Sequence, residues 1–457
     1  MKMKFYGRTE ELSAIRHEDS LMQERGSARM VVVTGRRRVG KTTLLLKAFA
    51  DSDIPTIYFT VKRTQTEDVL TQVWMQSIAQ KLNLDIEFLP YVDRLSQVVA
   101  YAMKISERQP VRFIIDECQE LDYVAPGFWA ELQEIWDLRK EKSKFLLMMS
   151  GSIASAIRHI FSDASEPLFG RPDLMMTLQP FNTSTVREVF QDICPNGEAS
   201  DLLALYALTG GVARYLEWLS VVDPFNEKGY FDYIFSESGG WFRSEGENVL
   251  ANEFRSDSQM YYLLLEAIAN GSTQWHELQN LTKTPISPYL GRLEKQYGLV
   301  KKTYPLLQEK VTRCVRYQIA DNYFRFWFKF IDPAMCRTLA DSKQWTLLKQ
   351  FSEHNFSTFT GRTLEQWFIS AYIESGRWTQ VGGWWDKRGE NEIDIVAINA
   401  FDKRIEFVEV KRNQHKLDDN KLMKKAQAFL SVNPQMNHFG ISFRGLSMEN
   451  MLTHLDS

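Results

Sequence analysis

An α/β fold with a mostly parallel sheet is what the amino-acid sequence predicts, and three observations predict it. Residues 29 to 49, RMVVVTGRRRVGKTTLLLKAF, run from an apolar β-branched stretch through a glycine-bounded loop into a leucine-rich helical segment. Residues 111 to 117, VRFIIDE, form a second apolar run that ends in two carboxylates. Between them lie another strand-like run, PTIYFTV (residues 55 to 61), and amphipathic helical segments. Strands and helices that alternate in this way build a parallel sheet covered by helices, with any ligand at the carboxyl edge of the strands.

The loop between Gly35 and Thr42 matches G-x-x-x-x-G-K-[ST]. Its glycines let the backbone N–H groups of Gly35, Arg36, Arg37, Arg38, Val39 and Gly40 turn onto phosphate oxygens, and the following helix adds its positive dipole end, with Thr43 in its first turn. Lys41 then reaches the β- and γ-phosphates of ATP, and the Thr42 hydroxyl ligates Mg²⁺. The second run supplies the complementary chemistry. Asp116 holds the metal, directly or through water, and Glu117 acts as general base on the attacking water. A strand over residues 144 to 149 ends in Ser150-Gly151-Ser152, where a polar residue lies beside the γ-phosphate or merely caps the next helix. Arg171, between Gly170 and Pro172, is either an arginine finger or one arm of a structural salt bridge. A finger acting in trans implies a homo-oligomer.

Composition sets the frame for these motifs. The 457 residues suggest about three domains. The balance of 55 Lys and Arg against 58 Asp and Glu, with 44% hydrophobic residues, excludes disorder, collagen and a uniformly basic coat for nucleic acid. It leaves a local basic surface open. The four cysteines, Cys118, Cys194, Cys314 and Cys336, lie far apart without metal-binding spacing, which fits a reducing cytoplasm. Apolar runs such as residues 145–149 and 261–265 fall well short of the ~20 residues a membrane helix needs. The amino terminus lacks the apolar core of a secretory signal, so no membrane role is expected.

Segments YGRTEEL, GRRRVGKTT, FIIDECQEL, SGS, PLFGR, LQPF and TGGVARYLEWL together resemble the archaeal ATPase family, a branch of the STAND and AAA-like P-loop ATPases. The resemblance implies a P-loop domain over residues 1–182 and a helical lid over 183–254. It places the opening motif, Phe5, Tyr6 and Arg8, near the adenine. The lid's Gly-Gly motif is often followed, one residue later, by proline in that family. Here it reads Gly210-Gly211-Val212-Ala213, without that proline, and Arg214 or Tyr215 either serves nucleotide sensing in the lid or simply packs.

Residues 255–332 follow winged helix-turn-helix order: helix, helix, helix, then two short strands. Eleven Lys and Arg against seven Asp and Glu give this segment a charge of +4. Tyr289, Arg292 and Lys295, three apart, share one helical face that would enter a DNA major groove. The alternative is a winged helix that packs internally between domains. The aromatic run NYFRFWFKFI that follows fits an interdomain core better than a base-stacking platform.

From residue 350 to 457 the chain turns α/β again. A strand, NEIDIVA, carries Asp394, and a second, RIEFVEVKR, carries Glu409 and Lys411 on one face by period two. Two carboxylates can hold Mg²⁺ or Mn²⁺, and Lys411 can orient water or neutralise a scissile phosphate, while Glu365 on an upstream helix could complete the site. An ordinary charged hairpin is the competing reading. The segments TGRTLEQWF, VGGWWDKRGENEIDIVAI and FVEVKR resemble the PD-(D/E)xK nuclease superfamily, which implies a restriction-endonuclease-like fold with Glu365, Asp394, Glu409 and Lys411 as its metal and catalytic positions. Trp384 and Trp385 either stack on a base or lie in the core. The sequence thus predicts an ATP- and Mg²⁺-dependent protein joined to a metal-dependent nuclease-like domain with DNA as the favoured partner. The alternative is a nucleotide-controlled switch whose last domain binds nucleic acid or partners without cutting.

Overall fold

The structure, a computed structural model, describes residues 3–152, 154–254, 258–308 and 314–453. It divides into two compact units: Gly7–Gln179, and Pro180–Ser457 together with Met1–Tyr6.

The first unit is built on five strands: β1 (Arg29–Thr34), β2 (Thr56–Thr60), β3 (Val111–Asp116), β4 (Phe145–Gly151) and β5 (Leu174–Thr177). They lie in the order β2-β3-β4-β1-β5 and every pair is parallel, as the alternation of strands and helices predicts. Period two sorts the strand β1 side chains cleanly. Met30 and Val32 join the apolar cluster under helices Glu67–Leu82, Leu95–Ser106 and Phe128–Arg139, and Val31 and Val33 join the one under Thr9–Arg25 and Lys41–Ala48. With helices on both faces, the strands carry near-continuous apolar runs, and β3 is buried at every position. Strand β4 separates the loop strand β1 from β3, and the register sets Asp116 beside both Thr60 and Ser150. The carboxyl ends of the three strands thus bring polar groups into one row.

The second unit is helical up to Glu253, with helices such as Thr183–Ile193, Ala199–Thr209 and Glu227–Ile234. Helices Ser258–Ala269, Trp275–Gln279 and Ser287–Lys295 follow, then the antiparallel strands β6 (Val300–Thr303) and β7 (Arg316–Ile319). The aromatic run forms helix Asn322–Phe330, whose rings are buried as an internal core. A 30-residue helix, Trp345–Glu374, leads into a four-stranded sheet of β8 (Gln380–Trp385), β9 (Glu392–Asn399), β10 (Arg404–Lys411) and β11 (Gly440–Ser447). Its order is β11-β10-β9-β8, with β10 and β11 parallel and joined through helix Asp419–Val432. One apolar cluster runs from Val186 to Met451 and takes in residues of the segments 183–254, 255–332 and 350–457, while the terminal sheet has a second cluster of its own, in which Trp384, Phe407 and Phe429 pack with Leu422 and Ala426.

Candidate functional site

The glycines at the two ends of the loop after β1 are fixed by geometry. Gly35 has φ +149°, and a Cβ there would lie 2.6 Å from the Leu178 carbonyl oxygen; Gly40 has φ +102° and precedes helix Lys41–Ala48. Lys41 is buried, and its ammonium donates to the carbonyls of Gly35 (2.8 Å) and Arg36 (3.1 Å). Burial lowers its pKa from the usual lysine value, against the pull of Glu117 and Asp116. Asp116 gathers the site: Thr42 Oγ1 donates to its Oδ2 at 2.5 Å, Tyr58 to the same oxygen at 3.0 Å, and Ser150 Oγ to its Oδ1 at 2.6 Å. Burial, with Asp116 adding to it, pushes the Tyr58 hydroxyl up to about 12.

Glu117 adopts the left-handed conformation (φ 54°), which turns it off the end of β3. Its Oε2 accepts from Gln119 Nε2 (2.6 Å) and Ser152 Oγ (2.9 Å). The structure therefore brings Gly35, Gly40, Lys41, Thr42, Asp116, Glu117 and Ser150 together. Within the loop, Val39 is buried, Arg38 has φ 70°, Arg36 and Arg37 are half-buried, and Thr43 is exposed on the helix. Arg8 donates to the Gln179 carbonyl (2.6 Å) and to Glu11 (3.0 Å). Tyr6 belongs to the other unit, where its hydroxyl donates to Asp192 at 3.1 Å. Phe5 is exposed.

Arg171 takes the salt-bridge arrangement of its two readings. It grips Asp137 with two bonds of 3.1 and 2.7 Å, which hold that carboxyl below its usual range, and donates to the Pro167 carbonyl at 2.5 Å. Sequence reasoning missed Tyr58 and Gln119. Tyr58 had a signal, as the outward polar position between core residues Ile57 and Phe59.

In the second unit, β9 and β10 pair from Arg404 opposite Asn399 to Val408 opposite Ile395. Beyond that point the Asp394 side chain takes the next amide, accepting from the Val410 N–H at 2.7 Å. Lys411 Nζ lies 3.4 Å from Asp394 and 2.7 Å from Glu409 Oε1. The other Glu409 oxygen pairs at 3.0 Å with Lys425, from helix Asp419–Val432, a residue that sequence reasoning did not single out. Burial and the Glu409 charge raise the Asp394 pKa against Lys411. For Glu409, burial is outweighed by hydrogen bonds from Lys411 and Lys425, and its pKa falls. Glu365 stands half-buried on the long helix; burial first and the Asp394 charge second raise it to about 7. Among the described residues no three His, Cys, Asp or Glu side chains gather as a metal cage.

Trp384 packs edge-on against Phe429, and Trp385 donates to the Cys314 carbonyl, so both lie in the core. On helix Ser287–Lys295, Arg292 and Lys295 are exposed, whereas Tyr289 packs against Tyr261. Among the described residues no helix is long and apolar enough to cross a membrane.

A parallel sheet with β4 between β1 and β3, a phosphate-type loop after β1 and an acidic β3 terminus define a P-loop ATPase domain. Residues 5–219 match the family described as an ATPase domain predominantly from Archaea, and residues 327–425 match a family described as archaeal and bacterial proteins of unknown function. An uncharacterized protein of Methanocaldococcus jannaschii is 26% identical over 422 residues, 89% of this chain and 87% of the relative. The solved Walker-type ATPase paby2304 of Pyrococcus abyssi aligns with TM-score 0.54 at 20% identity, covering 72% of this chain and 98% of its own. The first stretch is thus similar to an archaeal-type ATPase domain and the later one to the second family, and the nucleotide that the first similarity implies is ATP.

Proposed function

We propose that the first unit binds and hydrolyses Mg²⁺-ATP and that the second binds DNA at the end of β10 and cleaves it with metal assistance. The donor set at Asp116 suits a hard cation, because a hydroxyl and a carboxylate oxygen already converge there within 2.5 Å. Thr42 and Asp116 would hold Mg²⁺, which supplies charge neutralisation at the phosphates. Lys41 exchanges its carbonyl partners for phosphate oxygens. Glu117 takes the proton of the attacking water, after Gln119 and Ser152 release its carboxylate or orient it.

For the carboxy-terminal half, the carrying observation is the convergence of Asp394, Glu409 and Lys411 at the point where β9 and β10 splay apart. Asp394 and Glu409 would hold Mg²⁺ or Mn²⁺, with Lys411 placed to orient water or meet a phosphate oxygen and Glu365 close behind. Helices 258–269, 275–279 and 287–295 with the β6–β7 hairpin support a winged-helix reading of the segment between. The test is incubation of the purified chain with DNA, ATP and either cation. Wild-type cleavage that disappears in Asp394→Ala is expected; equal cutting by both, or none by wild type, removes the nuclease reading.

A second reading has its own observation. Lysines occupy both Glu409 oxygens, an arrangement that suits a domain that binds nucleic acid without cutting it. It predicts ATP hydrolysis lost in Lys41→Ala with no metal-dependent damage to DNA.

A further inference from the structure

The β6–β7 hairpin is bound to the terminal sheet rather than free. Arg316 on β7 makes a two-pronged bond to Glu392 on β9 (2.6 and 3.2 Å), two residues before Asp394, and stacks over Trp385 at 4.2 Å. The Leu306 amide donates to the Gly383 carbonyl at 2.9 Å. This docking gathers cations on one turn of helix Trp345–Glu374. Lys301 lies across the hairpin from Gln318, and Gln366 of the long helix reaches Gln318 at 3.5 Å. One turn before Gln366 on that helix stands Arg362. Arg325 comes from the aromatic helix and donates to Thr363 Oγ1 (2.9 Å) and the Phe359 carbonyl. Arg412, next to Lys411, donates to Thr360 on the same turn.

Among the described residues the side chain of neither Lys301 nor Arg362 makes a hydrogen bond or an ion pair. All three side chains are half-buried. Burial lowers the pKa of each. Arg362 lowers Lys301 further and brings Arg325 down to about 9, while Glu365 only partly opposes this for the two arginines. Desolvated like charges that Glu365 and Glu392 offset only in part cost stability, and a group that relieves the cost is an anion. The acidic site stands close by, since Glu365 is one turn from Arg362 and feels the charge of Asp394.

We propose that Lys301, Arg325 and Arg362, with Gln318 and Gln366, form a seat for a backbone phosphate of nucleic acid beside the Asp394, Glu409 and Lys411 site. The seat rests on the reading of that site as one that meets nucleic acid, and it does not require cutting. The two amides supply neutral donors, and the cations supply charge for a phosphodiester, whose identity as DNA or RNA the sugar contacts would decide.

The test uses the full chain in EDTA without ATP, with fluorescent single-stranded DNA, duplex DNA and RNA across a salt series. Arg362→Gln and Lys301→Gln are each expected to weaken binding by roughly tenfold at low salt and to reduce the slope of log affinity against log salt by about one. Arg362→Lys recovers most of the lost affinity. Without nucleic acid the two glutamine variants melt at or above the wild-type temperature, because a repulsion is gone; a lowered melting temperature together with unchanged binding marks the group as structural and overturns the seat. So do unchanged affinity and slope in both variants, or the absence of wild-type binding to all three probes. If wild type binds but never cuts and the variants bind weakly, the seat stands and cleavage fails. If wild type cuts and both variants bind and cut as it does, the seat alone fails.

Discussion

Asp19→Ala tests what holds the acidic strand in place. Asp19, on helix Thr9–Arg25, accepts from Arg112 Nε at 2.6 Å and from its second terminal nitrogen at 2.7 Å, with side chains only 7% and 3% exposed. Arg112 lies on β3, four residues before Asp116 and with the same strand parity, so the pair anchors the strand that carries the metal-type carboxylate. Removing one partner of a buried pair costs about 3–5 kcal/mol, because the other charge stays desolvated. Arg112 retains the Ser52 hydroxyl (2.8 Å), the Ile54 carbonyl (3.3 Å) and the Phe49 ring at 4.0 Å. These remaining partners point to the lower end, about 3 kcal/mol, against a total of about 5–15 kcal/mol for a domain. Amide hydrogen exchange of β3 reads this unit alone, and the loss corresponds to about a hundredfold faster exchange through global opening. The double variant Asp19→Leu/Arg112→Met, which makes both positions apolar at similar volume, should return to within about 1 kcal/mol of wild type. A cost below about 1 kcal/mol for Asp19→Ala, or a double variant no better than the sum of the singles, refutes the reasoning.

Other expectations are narrower. Glu117→Gln should keep ATP binding, measured by equilibrium dialysis, and lower hydrolysis by about 10²–10⁴-fold, the usual worth of a general base. Ser150→Ala removes a bond to an ionised carboxylate and should lower kcat about tenfold or more while leaving the melting temperature within a few degrees. The carboxyl of Asp332 is raised to about 6, chiefly by burial, so the folded chain holds a proton there that the unfolded chain releases at lower pH. Stability therefore falls as pH rises from about 4 to about 6, and Asp332→Asn should flatten that part of the melting-temperature profile.

The parallel sheet was readable because each of its signals is local. A β-branched run, a glycine-bounded loop and a leucine-rich helix state their own conformations, and the loop glycines are required by backbone geometry at Gly35 and Gly40. The row of polar groups at Asp116 was half readable: Thr42 and Ser150 lie in motifs, while Tyr58 enters only through the β2–β3 register, a non-local pairing. Lys425 illustrates the same limit. It sits on a helix whose docking face is set by Leu422, Ala426 and Phe429, and only that packing brings its ammonium to Glu409. Arg171 had two readings because an arginine between glycine and proline says nothing about its partner; the helix bearing Asp137 supplies one. Packing across segments is non-local in the same way: pattern cannot show that Val186, Tyr323, Trp367 and Val408 fall in one cluster while Trp384, Phe407 and Phe429 fall in another.

The docked hairpin changes which surface of the middle segment can meet nucleic acid. In a winged helix that grips a duplex, the wing must be free to reach the backbone while the third helix enters the groove. Here Arg316 of the β6–β7 hairpin is committed to Glu392, and the chain beside it is hydrogen-bonded to β8. Arg292 and Lys295 remain exposed on the third helix, but Tyr289 of the expected groove face is spent on Tyr261. The segment's excess of positive charge is therefore split: part lies outward on that helix, and Lys301 is turned inward to Arg325 and Arg362. A surface used for duplex reading would not desolvate a lysine against two arginines, because the cost brings no base contact. That expenditure is intelligible if the hairpin serves the terminal sheet. Charge reversal at Arg316→Glu should then loosen the hairpin and weaken nucleic-acid binding together with Lys301→Gln in a non-additive way. Additive losses from the two would mean that the hairpin and the terminal site work separately.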